Sequence, residues 1–407
     1  MTIRYRPITD DEVNPFFQAQ LLGFSRDFNP ANVERAARIR NLERSTAAFD
    51  GDRIVGTAGI WEFEMTVPGA SLPCAGVTWV SVSPTHRRRG ILTSMMRRQL
   101  DEIRDHGEAF AALWASEAPI YGRFGYGLAA EDMEIRIERT RAALRHVVPW
   151  PGSCRFVDRD EALKCWPSVY EEARRATPGM ISRSQAWWQV RHFPLIEQPV
   201  PGSSGSFRVQ YDEDGQARGY LRYRVKEGFE LGSSAAELNI IELVAATDAA
   251  YSALWSYVFG VDLIETIHCD FARVDEPLLH MLEDPRRLIR RTADSLFVRI
   301  VDVERALAGR RYAMESELTF ALTDAFCPWN DGTYRLQGGP AGAECRRAKG
   351  ETPDLELDAE TLGAVYLGGM RLQALARAGR VRGSEEALRR ADLMFSWDRA
   401  PWIPEIF

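Results

Sequence analysis

The sequence predicts an α/β (α+β) protein of several domains, on three observations. Runs of β-branched and aromatic residues alternate with stretches of helical periodicity. A strand, a loop and a helix follow one another in the same order twice, at residues 76–100 and 238–259. The chain is 407 residues long, more than one ordinary hydrophobic core organises, and domains of about 100 to 200 residues would divide it into two to four. Three is the starting expectation.

Each element has its own signal. Residues 53–66 and 76–83 are β-branched and aromatic runs bounded by turn residues, and both are expected to be strands. After Pro84, apolar side chains at Ile91, Leu92, Met95, Met96, Leu100 and Ile103 recur every three or four residues, the mark of a helix with one buried stripe. Residues 109–114 are strand-like again. Val-Val-Pro-Trp-Pro-Gly-Ser at 147–153 marks a boundary. In the second half, a strand is expected at 216–225 after the Asp214-Gly215 turn, a continuous apolar strand at 238–246 and a helix at 249–259. The loop before that helix is Ala-Thr-Asp-Ala-Ala where the first half has Pro-Thr-His-Arg-Arg-Arg-Gly, so the second unit resembles the first without its basic loop. Composition changes again near 298–310. Beyond it, strands are expected at 317–323 and 333–337 and helices at 359–367 and 372–378. Residues 395–407 hold two prolines and two tryptophans and end on an aromatic residue, so this segment should dock rather than fray. The expected domains are 1–148, 149–297 and 298–407.

Bulk properties exclude several classes. Hydrophobic residues make up 45% of the chain and charged residues 27%, a globular composition, and no apolar run is long enough to span a bilayer. The first basic residues are followed by Asp10, Asp11 and Glu12 rather than an apolar stretch, so no export signal is expected. Six cysteines without CxxC spacing and six scattered histidines suggest neither a disulfide framework nor a metal site, and a cytoplasmic setting is expected. A net charge of -7 argues against a nucleic-acid partner and suits a cationic one.

The stretch Val80-Ser81-Val82-Ser83-Pro84-Thr85-His86-Arg87-Arg88-Arg89-Gly90-Ile91-Leu92-Thr93 carries the chemistry. A helix N-terminus offers unpaired backbone N–H groups, and guanidinium groups beside it make a site for a pyrophosphate. Glycine at 90 lets the backbone approach the phosphates. The same Arg-Arg-Arg-Gly turn, taken alone, also reads as a solvated basic loop; the strand–loop–helix order favours the site. There is no GxxxxGK[ST], and Gly122-Arg-Phe-Gly125-Tyr-Gly127 is not GxGxxG, so ATP and NAD are poor candidates.

This loop resembles motif A of the GNAT acetyltransferases, R-x-x-G-x-G/A, with Arg87 and Gly90 in place and Leu92 where a small residue is usual. Its wider form, with Ala115-Ser116-Glu117, the run 120–127 and the terminal Phe407, is similar to the Eis-type (enhanced intracellular survival) N-acetyltransferases along the whole chain. The resemblance implies two tandem GNAT-like domains, the second degenerate, and a sterol-carrier-like α/β domain at the C-terminus. It implies acetyl-CoA as cosubstrate. Main-chain groups of Val80, Ser81 and Val82 would hold the pantetheine arm and frame the thioester. Arg88, Arg89, Gly90, Ile91, Leu92 and Thr93 would hold the pyrophosphate, and Ser116 with Glu117 would line the cleft. Tyr121 would be the general acid, since a phenol keeps its proton at neutral pH and can pass it to a departing thiolate. The C-terminal carboxylate of Phe407 would be the base. A carboxyl of reference pKa about 3.5 is a poor base toward an ammonium near 10.4, so burial must raise it or water must relay the proton.

Asp27 falls in a region that resembles the family's substrate-pocket helix, and Glu405 would add negative charge for a cationic amine. This chain ends Glu405-Ile406-Phe407, whereas a known member of the family ends Glu-Phe. The expected substrates are aminoglycosides or lysine side chains of peptides, acetylated by direct attack in a ternary complex, and a homohexamer is implied. A lipid carrier, suggested by the last hundred residues, and a non-catalytic acyl-CoA sensor are the alternatives. An apolar tunnel would favour the carrier, and intact Arg88, Gly90 and Tyr121 count against the sensor.

Overall fold

The computed structural model describes residues 3–407 except 31, 32, 34, 35, 37, 40, 146, 147, 195, 196, 198, 199, 231 and 232. The chain divides into two compact units, Met1–Ala130 with Ser295–Asp398 and Ile406–Phe407, and Glu131–Asp294 with Arg399–Glu405. The expected cuts fall at 148 and 297. The contact boundaries instead lie within strands Gly127–Glu138 and Ile289–Ile300.

In the first unit, strands Arg4–Pro7, Ser45–Asp50, Arg53–Val67, Ala70–Val82, Phe110–Trp114 and the end of Ile289–Ile300 lie side by side in that order. All neighbours are antiparallel except Ala70–Val82 and Phe110–Trp114, which run parallel. The 76–83 expectation finds only the second part of its strand. The strand begins at Ala70, directly after a turn whose Gly69 has φ +69°. Helix Ile91–Asp105 buries Ile91, Met95, Met96, Gln99, Leu100 and Ile103, the stripe that the spacing predicts except for Leu92, which is half-buried.

Residues 295–398 join this unit for a physical reason. Strand segment Leu296–Ile300 completes the first sheet against Phe110–Trp114. Arg299 and Asp324, both with buried side chains, pair at 2.7 Å. A Cβ on Gly363 would lie 2.1 Å from the Val298 carbonyl oxygen, so only glycine permits that approach. The segment carries its own five-stranded sheet, in the order Gly342–Arg347, Gly332–Gly339, Ser316–Thr323, Leu355–Asp358 and Val381–Gly383, with helices Ala359–Val365, Leu372–Arg377 and Glu385–Phe395. Strands Ser316–Thr323 and Gly332–Gly339 and the first two helices fall where they are expected; the other three strands and the last helix are additions.

The second unit repeats the arrangement. Strands Ser153–Phe156, Phe207–Glu213, Gln216–Lys226, Ala236–Ala245, Ile264–Ala272 and Gly127–Glu138 are neighbours in that order, and again only one pair, Ala236–Ala245 with Ile264–Ala272, is parallel. Helix Asp248–Gly260 covers its core with Leu254, Trp255 and Val258. Helix Arg159–Arg175 is not foreseen from the sequence because Pro167 interrupts it. The C-terminal segment docks as expected: Trp402 is 7% exposed and Ile403 fully buried.

No described helix is long and apolar enough to cross a membrane.

Candidate active site

The site starts from one strand edge in the first unit. The parallel ladder between Ala70–Val82 and Phe110–Trp114 stops at Gly76↔Ala112, so Val77–Val82 continue past their last partner on that side. On the other side the register to Arg53–Val67 slips between Thr57 and Gly59. Trp79 sits at φ +53° in that bulge, its carbonyl held by the Thr57 hydroxyl at 2.7 Å. Its indole is wedged against Trp61 and Phe17, with ring centroids 4.6 and 5.0 Å away. The bulge bends the strand away from its parallel neighbour, and main-chain groups of Val80–Val82 face a cleft instead of a strand.

The loop that follows is held from beneath. His86, 8% exposed, is fixed by Asp50 at 3.1 Å and Thr85 at 2.8 Å. Arg87 donates to the Gly23 carbonyl at 2.9 Å, which ties the loop to the end of helix Val13–Gly23. Arg87 is therefore a structural staple. Arg88 and Gly90 have φ of +63° and +77°, left-handed backbone of the kind from which anion-binding concavities of successive N–H groups are built. Gly90 is the N-cap of helix Ile91–Asp105 and supplies no side-chain cap, so the first N–H groups of the helix, starting at Ile91, remain for a ligand. Open space surrounds the place of a Gly90 Cβ, so the demand for glycine is conformational. With acetyl-CoA as the ligand that the resemblance implies, Gly90→Ala is expected to raise its KM about tenfold with little change in kcat, and Arg88→Ala to do the same by removing a positive charge from the loop. Initial-rate kinetics check this, and an unchanged KM in both variants would remove the loop from the site.

A cleft of about 610 Å³ opens here. Of the residues expected in the site, it gathers Val80, Ser81, Val82, Arg88, Gly90, Ile91, Leu92, Thr93, Ser116, Glu117 and Tyr121. Arg89 is exposed and does not line it. The cleft also gathers residues not expected in the site: Gly23, Phe24 and Ser25, where the first helix ends, His86 and Arg87 in the loop, and Ile120 and Arg123 beside Tyr121. No local motif marks the first three, because only the tertiary fold brings them to the cleft. The Ser81 hydroxyl is turned against Gly23, where a Cβ would lie 1.8 Å from it, and is buried without a hydrogen-bond partner among the described residues.

Tyr121 ends the short helix Ala118–Tyr121 and is 5% exposed. Burial pushes its pKa up to about 12, so the phenol carries its proton throughout the physiological range. Phe407 is 8% exposed, its ring centroid 5.2 Å from that of Phe63. A Cβ on Gly76 would approach the Phe407 ring to 3.2 Å and the Phe63 ring to 2.4 Å. Phe407 thus packs at the residue where the parallel ladder ends, and Val80 is only four positions further along the same strand, about 13 Å.

Two expected substrate residues stand elsewhere. Asp27 is exposed, in an irregular segment beyond the helix that stops at Gly23, and does not line the cleft. Glu405 is 8% exposed and its charge is already engaged. Arg183 donates to it at 2.5 Å, Trp187 Nε1 at 2.9 Å, and His192 Nε2 lies at 3.2 Å. Burial opposes its ionisation, yet the Arg183 guanidinium, with help from His192, holds the carboxyl below the usual carboxylate range. The Glu405 carboxylate is thus already neutralised by groups of its own unit.

Comparisons with known proteins agree with this geometry. Residues 4–129 and 179–300 each match an acetyltransferase (GNAT) domain, and residues 303–404 match a sterol carrier protein domain. An uncharacterized N-acetyltransferase of Streptomyces avermitilis is 40% identical over the whole of both chains. The N-acetyltransferase Eis of Mycobacterium tuberculosis is 35% identical over 98% of each. The crystal structure of Eis1 from Mycobacterium abscessus superposes with a TM-score of 0.88 at 33% identity, covering 99% of this chain and 100% of that one. With an open helix N-terminus and an unpaired strand edge in the first GNAT domain and these relatives along its full length, the chain belongs to the Eis family of GNAT N-acetyltransferases.

Proposed function

We propose that this enzyme transfers the acetyl group of acetyl-CoA to primary amines of cationic substrates, aminoglycosides or lysine side chains, in a ternary complex. One observation carries the reading: the unpaired strand edge at Val80–Val82, the left-handed Arg88–Gly90 turn at an uncapped helix N-terminus, and the protonated Tyr121 line a single cleft. The turn and the first helical N–H groups suit the pyrophosphate, and the strand edge suits the amides of the pantetheine arm.

In this reading the amine nitrogen attacks the thioester carbonyl carbon, and a backbone N–H near Val80–Val82 stabilises the oxyanion. As the carbon–sulfur bond breaks, Tyr121 gives its proton to the coenzyme A thiolate. The proton lost by the amine passes to the Phe407 carboxylate, directly or through water. Arg89 stays in the proposal as a peripheral phosphate contact and Asp27 as an outer acidic group. Glu405 is proposed to anchor the terminal segment. The resemblance also carries the cytoplasmic setting and a homohexamer into this proposal.

The test is coenzyme A release with kanamycin or tobramycin, comparing an N-terminal tag with an extension after Phe407. Normal turnover is expected for the first and at least a hundredfold loss for the second, the range of a general base removed. Equal rates would refute Phe407 as the base. No release with any amine would refute the substrate class.

A further inference from the structure

The run Gly122-Arg-Phe-Gly125-Tyr-Gly127 is not a dinucleotide loop, and none of its three glycines lines the coenzyme cleft. Ile120, Tyr121 and Arg123 do line it, so the turn gives one side to the cleft and keeps its glycines for another.

On that other side the place of each missing side chain is taken. A Cβ on Gly122 would lie 2.8 Å from Glu360 Oε2. One on Gly125 would lie 2.5 Å from Arg299 Nη1 and 3.1 Å from the Ala359 Cβ. One on Gly127 would lie 1.9 Å from the Glu360 carbonyl oxygen and 2.5 Å from the Ala364 nitrogen. The fit is mutual, because a Cβ on Gly363 would meet the Gly127 nitrogen at 3.2 Å. Side chains do not pack so closely, so helix Ala359–Val365, in the segment that matches a sterol carrier protein domain, reaches the turn only where the turn is bare. Neither polar neighbour is loose. Asp324 holds the fully buried Arg299 at 2.7 Å, and Arg380 donates to Glu360 at 2.8 Å.

Tyr121 is bound to this turn from within. The Tyr126 N–H donates to the Tyr121 carbonyl at 3.3 Å. The Tyr126 ring, fully buried, meets the Tyr121 ring edge to face, with centroids 6.0 Å apart. A shift of residues 122–127 therefore moves the phenol that faces the cleft.

We propose that the glycines of this run are a docking seam and that helix Ala359–Val365, through Glu360, Gly363 and Ala364, is a positioning element that sets where the Tyr121 hydroxyl stands in the cleft. The inference rests on the reading of Tyr121 as the general acid, and makes the sterol-carrier segment part of what aligns that acid.

Gly122→Ala tests it without backbone strain, because Gly122 has φ -54° and ψ -39°, values that any residue adopts in a helix. The three atoms nearest the added methyl all belong to the Glu360 side chain. The variant is expected to lower kcat about tenfold, within the range of a slightly misplaced catalytic group, with KM for acetyl-CoA changed less than about threefold. Adding Glu360→Ala removes the obstacle and should recover most of the loss. In a Tyr121→Phe background Gly122→Ala should cost less than about twofold, since the hydroxyl it misplaces is gone. Thermal melting establishes that each variant folds. An unchanged kcat in Gly122→Ala, a loss that Glu360→Ala does not recover, or an equal loss with and without the Tyr121 hydroxyl would overturn the seam and leave the acid in place. A normal kcat in Tyr121→Phe alone would instead overturn the acid, and this inference with it.

Discussion

Replacing Arg183 by methionine is expected to destabilise the protein by about 3–5 kcal/mol, the usual cost of leaving buried carboxylates without their cation. The Arg183 side chain is fully buried. It bridges Glu242 and Glu405, each at 2.5 Å, and stacks on Tyr170 and Trp188 with its guanidinium carbon 3.7 and 4.7 Å from the ring centroids. Burial opposes the charge of both carboxyls, but Arg183 keeps both below their ordinary range. In the wild type their folded pKa values lie under the unfolded ones. Their contribution to stability is therefore present above about pH 4.5 and is lost as pH falls. Without Arg183 the largest opposing charge is gone, burial is expected to raise both against the smaller pull of His192, Arg191 and Arg222, and the sign reverses: the variant loses stability as pH rises from about 4.5. Denaturant unfolding at pH 5 and pH 8 should show a larger deficit at pH 8. Adding Glu242→Gln and Glu405→Gln to the variant should recover much of it. A loss under about 1 kcal/mol, or one equal at both pH values, would contradict the assignment.

Tyr121→Phe is expected to lower kcat by about a hundredfold or more while KM for acetyl-CoA stays within a factor of about three, the pattern of an acid that acts only in the transition state. The phenol is 5% exposed and its pKa stands at about 12. No alkaline limb from Tyr121 should therefore enter the kcat profile below pH 10. Initial-rate kinetics across pH with saturating amine decide it. A kcat within threefold of wild type would mean that solvent protonates the leaving thiolate.

How much of this was legible beforehand varies with the range of the signal. The Ile91–Asp105 helix and its buried stripe could be read from spacing, because a helix repeats its buried face within the chain itself. The basic loop could be read from order and composition, but its division of labour could not. Three consecutive arginines look alike in sequence. In the structure Arg87 lines the cleft and ties the loop to Gly23, Arg88 takes the left-handed turn in the cleft, and Arg89 is exposed outside its lining. The pairing of Glu405 could not be read from the sequence, because its partner Arg183 lies 222 positions earlier in the chain. The strand Gly127–Glu138 passed unnoticed since glycine, alanine and charged residues dilute its alternation, and pairing with Ile264–Ala272 supplies what local preference lacks.

The sequence by itself determined the class of protein, the strand–loop–helix unit of each half, the basic glycine loop of the first and its loss from the second, all of which depend on residues close together in the chain. Only the tertiary structure decided where the two units divide, that residues 295–398 join the first, which carboxylates are already paired, and that the degenerate half still holds a cavity. The physical reason is that burial, ion pairing and strand pairing are made between distant residues, and the desolvation that sets their energies exists only once the chain has closed around them.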